Sequence, residues 1–192
     1  DRHPEWRATL DDFQSGDEAM RRCLDLARVA ARTDLPTLIL GETGTGKTLL
    51  ARALHNSSRR ARGPFIAFNS AALSDTLLDS QLFGHERGAF TGADRRVKGK
   101  FELADGGTLF LDEIADMSPP AQAKILRAVE YGEFERLGSE QLLDAELRLA
   151  EEARVLYATD NEAKAISKLA IARTLFDELA KIARRTHTRI GG

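Results

Sequence analysis

Residues 41–48 are Gly41-Glu42-Thr43-Gly44-Thr45-Gly46-Lys47-Thr48, and they directly follow the apolar run at residues 37–40. A short apolar run predicts a buried strand of a parallel sheet, and residues 49–54 predict a helix. The eight residues have the spacing G-x-x-x-x-G-K-[ST], in which glycines let backbone N–H groups turn toward phosphate oxygens. Strand, glycine turn and helix in this order predict a phosphate-binding loop rather than a plain glycine-rich turn.

The parts of this loop have separate expected roles toward a nucleoside triphosphate, and we expect ATP with magnesium. All eight residues from Gly41 to Thr48 are expected to surround the phosphates. Lys47 supplies a positive charge for the β and γ phosphates, and the Thr48 hydroxyl is the expected magnesium ligand. The following helix directs its positive N-terminal end at the same anions.

Two carboxylates, Asp112 and Glu113, follow another apolar run at residues 108–111. Ligands of parallel α/β sheets bind at the carboxyl ends of the strands. We expect Asp112 to hold the magnesium, directly or through water, and Glu113 to polarise an attacking water. Two acids alone are commonly a solvated strand end, but beside a phosphate loop they predict hydrolysis. Asn69, at the end of a strand predicted over residues 64–68, is placed to reach and orient Glu113.

Strands and helices alternate along most of the chain. Helices are predicted over residues 17–33, 49–54 and 73–83 and from 118 onward, whereas residues 84–99 contain four of the fifteen glycines and predict a loop. This alternation predicts an α/β fold with three layers and a parallel sheet.

The C-terminal part has a less regular pattern. Residues 142–158 fit either a strand or a helix, and residues 161–185 predict an amphipathic helix with Thr159 and Glu162 as a capping box. We therefore divide the chain into a core at residues 1–150 and a divergent, mostly helical segment at residues 151–192.

Composition excludes several classes of protein. A net charge of -2 with interspersed acids and bases argues against direct DNA binding by this segment. The single cysteine, Cys23, excludes an internal disulfide and indicates a reducing compartment. No apolar run approaches the ~20 residues that cross a bilayer, and the N-terminus lacks an apolar signal core. We expect a cytoplasmic protein without membrane contact.

Five stretches resemble the AAA+ domain of bacterial sigma-54-dependent transcriptional activators, the enhancer-binding proteins. They are GETGTGKT at 41–48, PFIAFNSAAL at 64–73, FGHERGAFTGA at 83–93, ELADGGTLFLDEI at 102–114 and GEFERLG at 132–138. The first stretch is generic to many NTPases, but the hexapeptide Gly88-Ala89-Phe90-Thr91-Gly92-Ala93 is close to diagnostic of this family. The resemblance covers roughly residues 10–150 and implies an AAA+ P-loop NTPase fold.

The resemblance also implies a function. In that family the hexapeptide protrudes from a ring of subunits and touches the sigma-54 factor of the RNA polymerase holoenzyme. ATP hydrolysis moves this loop and remodels the closed promoter complex to an open one. Carried over, Phe90 and Thr91 are the contact residues, while Gly88 and Gly92 permit the bend. A phenylalanine between glycines is costly to expose unless a partner covers it.

Further residues take roles from the same resemblance. His85 and Glu86 begin the insertion that carries the hexapeptide, and Asn69 corresponds to the asparagine that switches the catalytic glutamate. Glu133 and Arg136 lie in what resembles a second pore-side loop and are expected to assist signalling.

The sequence departs from the family pattern after residue 138. The strand that ends in a Thr-Asn sensor has two possible registers, beginning at Arg148 or covering residues 154–160, and the second makes Thr159 the sensor candidate. Arg173 lies at about the right distance for an arginine finger, but Phe176 occupies the position of the second one.

These departures leave two alternatives to an ATPase activator open. One is a nucleotide-binding but hydrolysis-deficient regulator of sigma-54 or of activator rings. The other is an unrelated AAA+ machine, against which the hexapeptide at residues 88–93 argues strongly.

Overall fold

The computed structural model describes residues 7–70, 73–131, 134–139 and 154–159 of the 192-residue chain. Its helices and strands alternate for most of this length, as the sequence predicts. In chain order they are α1 Glu18–Ala31, β1 Thr37–Leu40, α2 Lys47–Asn56, β2 Phe65–Asn69, α3 Asp75–Phe83, β3 Gly84–His85, β4 Val97–Lys98, α4 Lys100–Leu103, β5 Thr108–Asp112, α5 Pro119–Tyr131 and β6 Arg154–Thr159. Within the described ranges no helix is long and apolar enough to cross a membrane.

The main sheet has four parallel strands in the order β1-β6-β5-β2. Strand β6 pairs with β1 through Leu40 opposite Thr159, and with β5 through Leu111 opposite Tyr157. At the other side of β5, Asn69 of β2 lies opposite Asp112. All carboxyl ends therefore meet at one edge, which we call the carboxyl edge.

The position of β6 decides between the two registers considered for the C-terminal strand. Residues 154–159 form it, so the second register is the one that the structure adopts. This strand belongs to the core sheet although it lies past residue 150, the expected end of the core. The predicted helix at 161–185 with Glu162, the arginine-finger candidate Arg173, and Phe176 lie outside the described residues.

Strand β5 explains why the core has two halves. Leu109 and Leu111 face one side of the sheet and pack with α3, α4 and α5, whereas Phe110 faces the other side and packs with α1 and α2. All three are at most 1% exposed. Because side chains alternate along a strand, a strand covered on both faces must be apolar throughout. The predicted α/β fold with three layers is confirmed.

The glycine-rich stretch at residues 84–99 corrects one expectation, since it is more than a loop. Strands β3 and β4 pair antiparallel through Gly84 opposite Lys98 and His85 opposite Val97. A Cβ atom at Gly99 would lie 2.3 Å from the Leu82 carbonyl oxygen, so the backbones at this base approach too closely for any side chain. Two-residue strands carry too little alternation to be recognised from sequence.

The starts of β2 and β5 also approach closely. Thr108 donates its N–H to the Pro64 carbonyl over 2.8 Å, and a Cβ atom at Gly107 would lie only 2.0 Å from that same oxygen.

We predict that Gly107→Ala lowers the free energy of unfolding by more than about 2 kcal/mol, because the backbone of β2 must move to admit the methyl group. Urea unfolding measures it. Gly16→Ala is the matched control: nothing lies within 4 Å of its added Cβ, so a change within about 0.5 kcal/mol is expected. Equal effects of the two substitutions would contradict the close approach.

Candidate nucleotide site and hexapeptide loop

The phosphate loop is a tight turn between β1 and α2. Gly44 and Gly46 both have a φ of 85°, a conformation that glycine adopts without steric cost. Thr45 closes the turn by donating its N–H and its hydroxyl to the Glu42 carbonyl, over 3.3 and 2.7 Å. Helix α2 begins at Lys47 after Gly46, which has no side chain to cap the first turn. The first N–H groups of the helix are thus available to an anion.

Lys47 is the buried charge of this loop, with 8% of its surface exposed. Its ammonium group donates hydrogen bonds to the carbonyl oxygens of Gly41 over 2.8 Å and Glu42 over 3.0 Å. The ammonium therefore lies within the turn, at the place where a phosphate-binding loop needs positive charge. Thr43 and Thr48 are exposed, Thr48 on the first turn of α2.

The carboxyl edge brings most of the predicted site residues into one row. The loop after Leu40 lies beside the end of β6 at Thr159, and Asp112 lies on the next strand with Asn69 opposite it. Neighbouring strands are about 4.8 Å apart, so the ends of β1 and β5 are separated by roughly 10 Å. This edge is where a parallel sheet binds its ligands.

Glu113 has the most unusual backbone at this edge. Its φ of 57° and ψ of 36° are left-handed, and it is the one non-glycine residue with positive φ in the described part of the chain. That conformation costs a residue with a side chain about 1–2 kcal/mol, and such strain is concentrated at functional sites. The Asp112 carboxylate accepts a hydrogen bond from the Glu113 N–H over 3.1 Å.

Ser70 is a site residue that we did not select from the sequence. Its hydroxyl lies 3.1 Å from the Asp112 carbonyl oxygen and 3.0 Å from that of Glu113, and the residue is only 4% exposed. A serine after a strand end is common in turns, so its position next to Asn69 in the sequence did not single it out.

The hexapeptide forms a closed loop above the β3–β4 pair. Gly88 and Gly92 have φ values of 84° and 98°, which agrees with their predicted role in the bend. The Gly88 N–H donates to the Ala93 carbonyl over 2.8 Å, and the Ala93 N–H donates to the Phe90 carbonyl over 3.0 Å. Ala93 is buried, whereas Thr91 is exposed.

Phe90 differs from the expected exposed phenylalanine. Its ring is partly buried and meets the His85 ring edge-on, with centroids 4.9 Å apart. His85 is itself buried and shares a 2.8 Å hydrogen bond with the Ser80 hydroxyl. The chain therefore covers part of this ring with its own histidine, a pairing that residue spacing alone did not suggest.

Arg136 connects the hexapeptide base to the rest of the core. Only 1% of its side chain is exposed, and its guanidinium binds both carboxylate oxygens of Glu102, over 2.8 and 3.1 Å. It also donates to Glu86 over 3.1 Å. Leu137, the next residue, exchanges backbone hydrogen bonds with Gly84 and Glu86. Glu133, the other residue expected to assist signalling, lies outside the described residues.

A family model for the sigma-54 interaction domain matches residues 13–183 of the chain. The chain belongs to the sigma-54 interaction domain family. This match covers most of the chain and confirms the resemblance inferred from the five sequence stretches.

Individual relatives support the same family assignment. A Nif-specific regulatory protein from Rhodobacter capsulatus is 51% identical over 148 residues, which are 77% of this chain and 26% of the relative. The structure of NtrX from Brucella abortus in complex with ATP matches with a TM-score of 0.68 at 31% identity, covering 87% of this chain and 36% of NtrX. The chain thus spans about a quarter of the length of the curated relatives it matches.

A more distant match shows the fold alone. The P-loop NTPase domain of a sigma-54 transport activator from E. coli matches with a TM-score of 0.50 at 20% identity, covering 85% of this chain and 90% of that domain. The AAA+ P-loop NTPase fold expected for a sigma-54 interaction domain is confirmed.

We predict that Arg136→Met lowers the free energy of unfolding by about 3–5 kcal/mol, because it leaves the buried Glu102 carboxylate without its counter-charge. Chemical denaturation measures it. The matched control is Arg22→Met, which breaks an ion pair with Glu18 whose side chains are 76% and 70% exposed. That change is expected to cost at most about 0.5 kcal/mol. A loss below 1 kcal/mol for Arg136→Met would contradict the buried-charge account.

Proposed function

We propose that this chain is the ATP-hydrolysing module of a sigma-54-dependent transcription activator in the bacterial cytoplasm. The observation that carries the proposal is the carboxyl edge, where the phosphate loop, Asp112 and the strained Glu113 backbone lie at the same edge of one sheet. A second loop, the hexapeptide, supplies the surface for the partner. Family membership supports the combination of these two features in one domain.

Nucleotide binding follows from the shape and charge of residues 41–48. The backbone N–H groups of the loop and of the first turn of α2 would hold phosphate oxygens, and Lys47 would exchange its two carbonyl partners for them. The complex of NtrX with ATP supports a nucleotide in this family's fold. Thr48 and Asp112 offer hydroxyl and carboxylate oxygens, the ligand type that magnesium prefers, so they would hold that ion. Bound there, magnesium would neutralise charge that develops on the phosphates.

Hydrolysis requires a base, and Glu113 is the proposed one. It follows Asp112 directly at the carboxyl edge, where its carboxylate would take a proton from the attacking water. Asn69 lies one strand away, opposite Asp112, and is proposed to orient that carboxylate. Thr159, at the end of the adjoining strand β6, is the proposed sensor of the terminal phosphate.

The proposed output is the hexapeptide. Phe90 and Thr91 would contact sigma-54 in the RNA polymerase holoenzyme, within a ring of identical subunits. The exposed Thr91 is directly available, whereas Phe90 would leave His85 to be fully engaged. We do not propose direct DNA binding by this segment, because a net charge of -2 gives the chain no excess of basic residues.

One sequence feature favours a second candidate function. Phe176 stands where the resemblance puts the second arginine finger, and such arginines contribute about 10³-fold or more in rate. If the second arginine finger is missing, the chain would bind nucleotide without hydrolysing it and would regulate sigma-54 or intact activator rings.

Two substitutions separate binding from turnover. Lys47→Ala is expected to weaken ATP binding about 10- to 100-fold, because it removes a charged donor to phosphate. Glu113→Gln is expected to keep ATP binding within about twofold while reducing turnover at least about 10²-fold. Fluorescent-nucleotide titration and phosphate release measure the two quantities. Loss of ATP binding in Glu113→Gln but not in Lys47→Ala would contradict these roles.

Turnover by the unaltered chain is expected to rise faster than protein concentration, since a ring shares its sites between subunits. Phosphate release per chain, measured across a wide concentration range, tests this. A value of zero at the highest concentration, with ATP bound, would reject hydrolysis and favour the regulator.

Thr91→Ala is expected to reduce binding to sigma-54 at least about tenfold in the presence of magnesium, ADP and a fluoride mimic of the transferring phosphate. Thr76→Ala, another exposed threonine, is the matched control and should leave binding unchanged. Equal binding by the two variants would remove the proposed role from the hexapeptide.

A further inference from the structure

One hydroxyl group holds the backbone that carries Glu113. Ser70 follows β2, and its N–H extends the β2–β5 ladder by donating to the Asp112 carbonyl over 3.4 Å. Its hydroxyl then reaches past the ladder, to within 3.1 Å of the Asp112 carbonyl and 3.0 Å of the Glu113 carbonyl. A hydroxyl has one proton, so the two oxygens share it.

The other side of Glu113 is held separately. The Asp116 N–H donates to the Glu113 carbonyl over 3.0 Å and closes a short turn at Ile114–Asp116. The Gln122 side chain donates to the carbonyls of Ile114 over 3.1 Å and Met117 over 3.2 Å. Gln122 and the Asp116 N–H therefore hold the turn after Glu113, whereas the Ser70 hydroxyl contacts the carbonyls on both sides of the Glu113 backbone.

The left-handed backbone of Glu113 needs such an anchor. A residue with a side chain leaves this conformation unless surrounding bonds hold it, and the Ser70 hydroxyl is bonded to both carbonyls that flank the Glu113 φ and ψ angles. With 4% exposure, Ser70 is itself shielded from water that would otherwise compete for its hydroxyl.

We infer that Ser70 is a positioning residue for Glu113. Its hydroxyl sets the direction in which the Glu113 carboxylate leaves the carboxyl edge, and it ties that direction to the end of β2, where Asn69 lies. The consequence for turnover rests on the proposed ATPase function, whereas the consequence for the backbone does not. Ser70 itself touches neither nucleotide nor water in this account.

The kinetic test compares three residues at position 70. Ser70→Ala removes the hydroxyl donor, so kcat is expected to fall about 10- to 100-fold. Ser70→Cys keeps a weak S–H donor, so its kcat is expected to fall by less. KM and the ATP dissociation constant should stay within twofold, because the phosphate loop is untouched. Ser58→Ala is the matched control: its hydroxyl donates to the His55 carbonyl at the far end of α2, and kcat should not change.

The split between kcat and KM is what a purely structural role would not produce. Equal kcat for wild type and Ser70→Ala would overturn the inference, and so would parallel losses of kcat and ATP binding.

A stability test decides the inference even if the wild type has no turnover. Glu113→Gly is compared with Glu113→Ala, once with Ser70 present and once with Ser70→Ala. With Ser70 present, the glycine variant is expected to have a folding equilibrium constant about threefold to tenfold higher, because glycine accepts the left-handed backbone. Without the Ser70 hydroxyl that advantage should shrink to less than about twofold, since residue 113 loses the two contacts that hold its left-handed backbone.

An advantage of the same size in both backgrounds would show that the rest of the fold, and not Ser70, imposes the conformation. If Ser70→Ala does not fold, Ser70→Cys replaces it in the comparison, with a partial reduction expected. Absence of turnover in the wild type, combined with a shrinking advantage, would reject the ATPase proposal and keep the assignment of Ser70 to the Glu113 backbone.

Discussion

The parallel pairing of β6 with β1 on one side and β5 on the other is the constraint on which the site depends. It brings the turn after Leu40 and the Asp112–Glu113 pair to one edge, roughly 10 Å apart, although about seventy residues separate them in sequence. Because β5 is covered on both faces, its register cannot shift without exposing Leu109, Phe110 or Leu111. Core packing thereby fixes the positions of the groups at the carboxyl edge.

A second constraint acts at the hexapeptide. The buried Arg136 guanidinium joins Glu102 of α4 to Glu86 at the start of the loop. Backbone hydrogen bonds join Leu137 to Gly84 and Glu86 at the same place. A buried ion pair of this kind contributes little net stability, but breaking it leaves an unpaired charge. The loop base is therefore tied to the core, whereas Thr91 at the tip is exposed.

The sequence predicted the sheet, the phosphate loop and the carboxylate pair because each is local: an apolar run, a glycine spacing, or two acids after a strand. It could not predict features that depend on distant contacts. Ser70 bonds to residues 112 and 113, and Phe90 meets His85 only after the chain folds back on itself. The place of β6 between β1 and β5 in the core sheet also depends on distant neighbours, and the local pattern of residues 154–159 does not reveal it.

The most direct measurement is a crystal structure of the Glu113→Gln variant with ATP and magnesium. We expect the triphosphate to lie in the turn at residues 41–48, with the terminal phosphate facing residue 113 across the carboxyl edge. The Lys47 ammonium is expected to have left the carbonyls of Gly41 and Glu42 for phosphate oxygens. A nucleotide bound elsewhere, or a Lys47 still bonded to those two carbonyls beside bound ATP, would contradict this expectation.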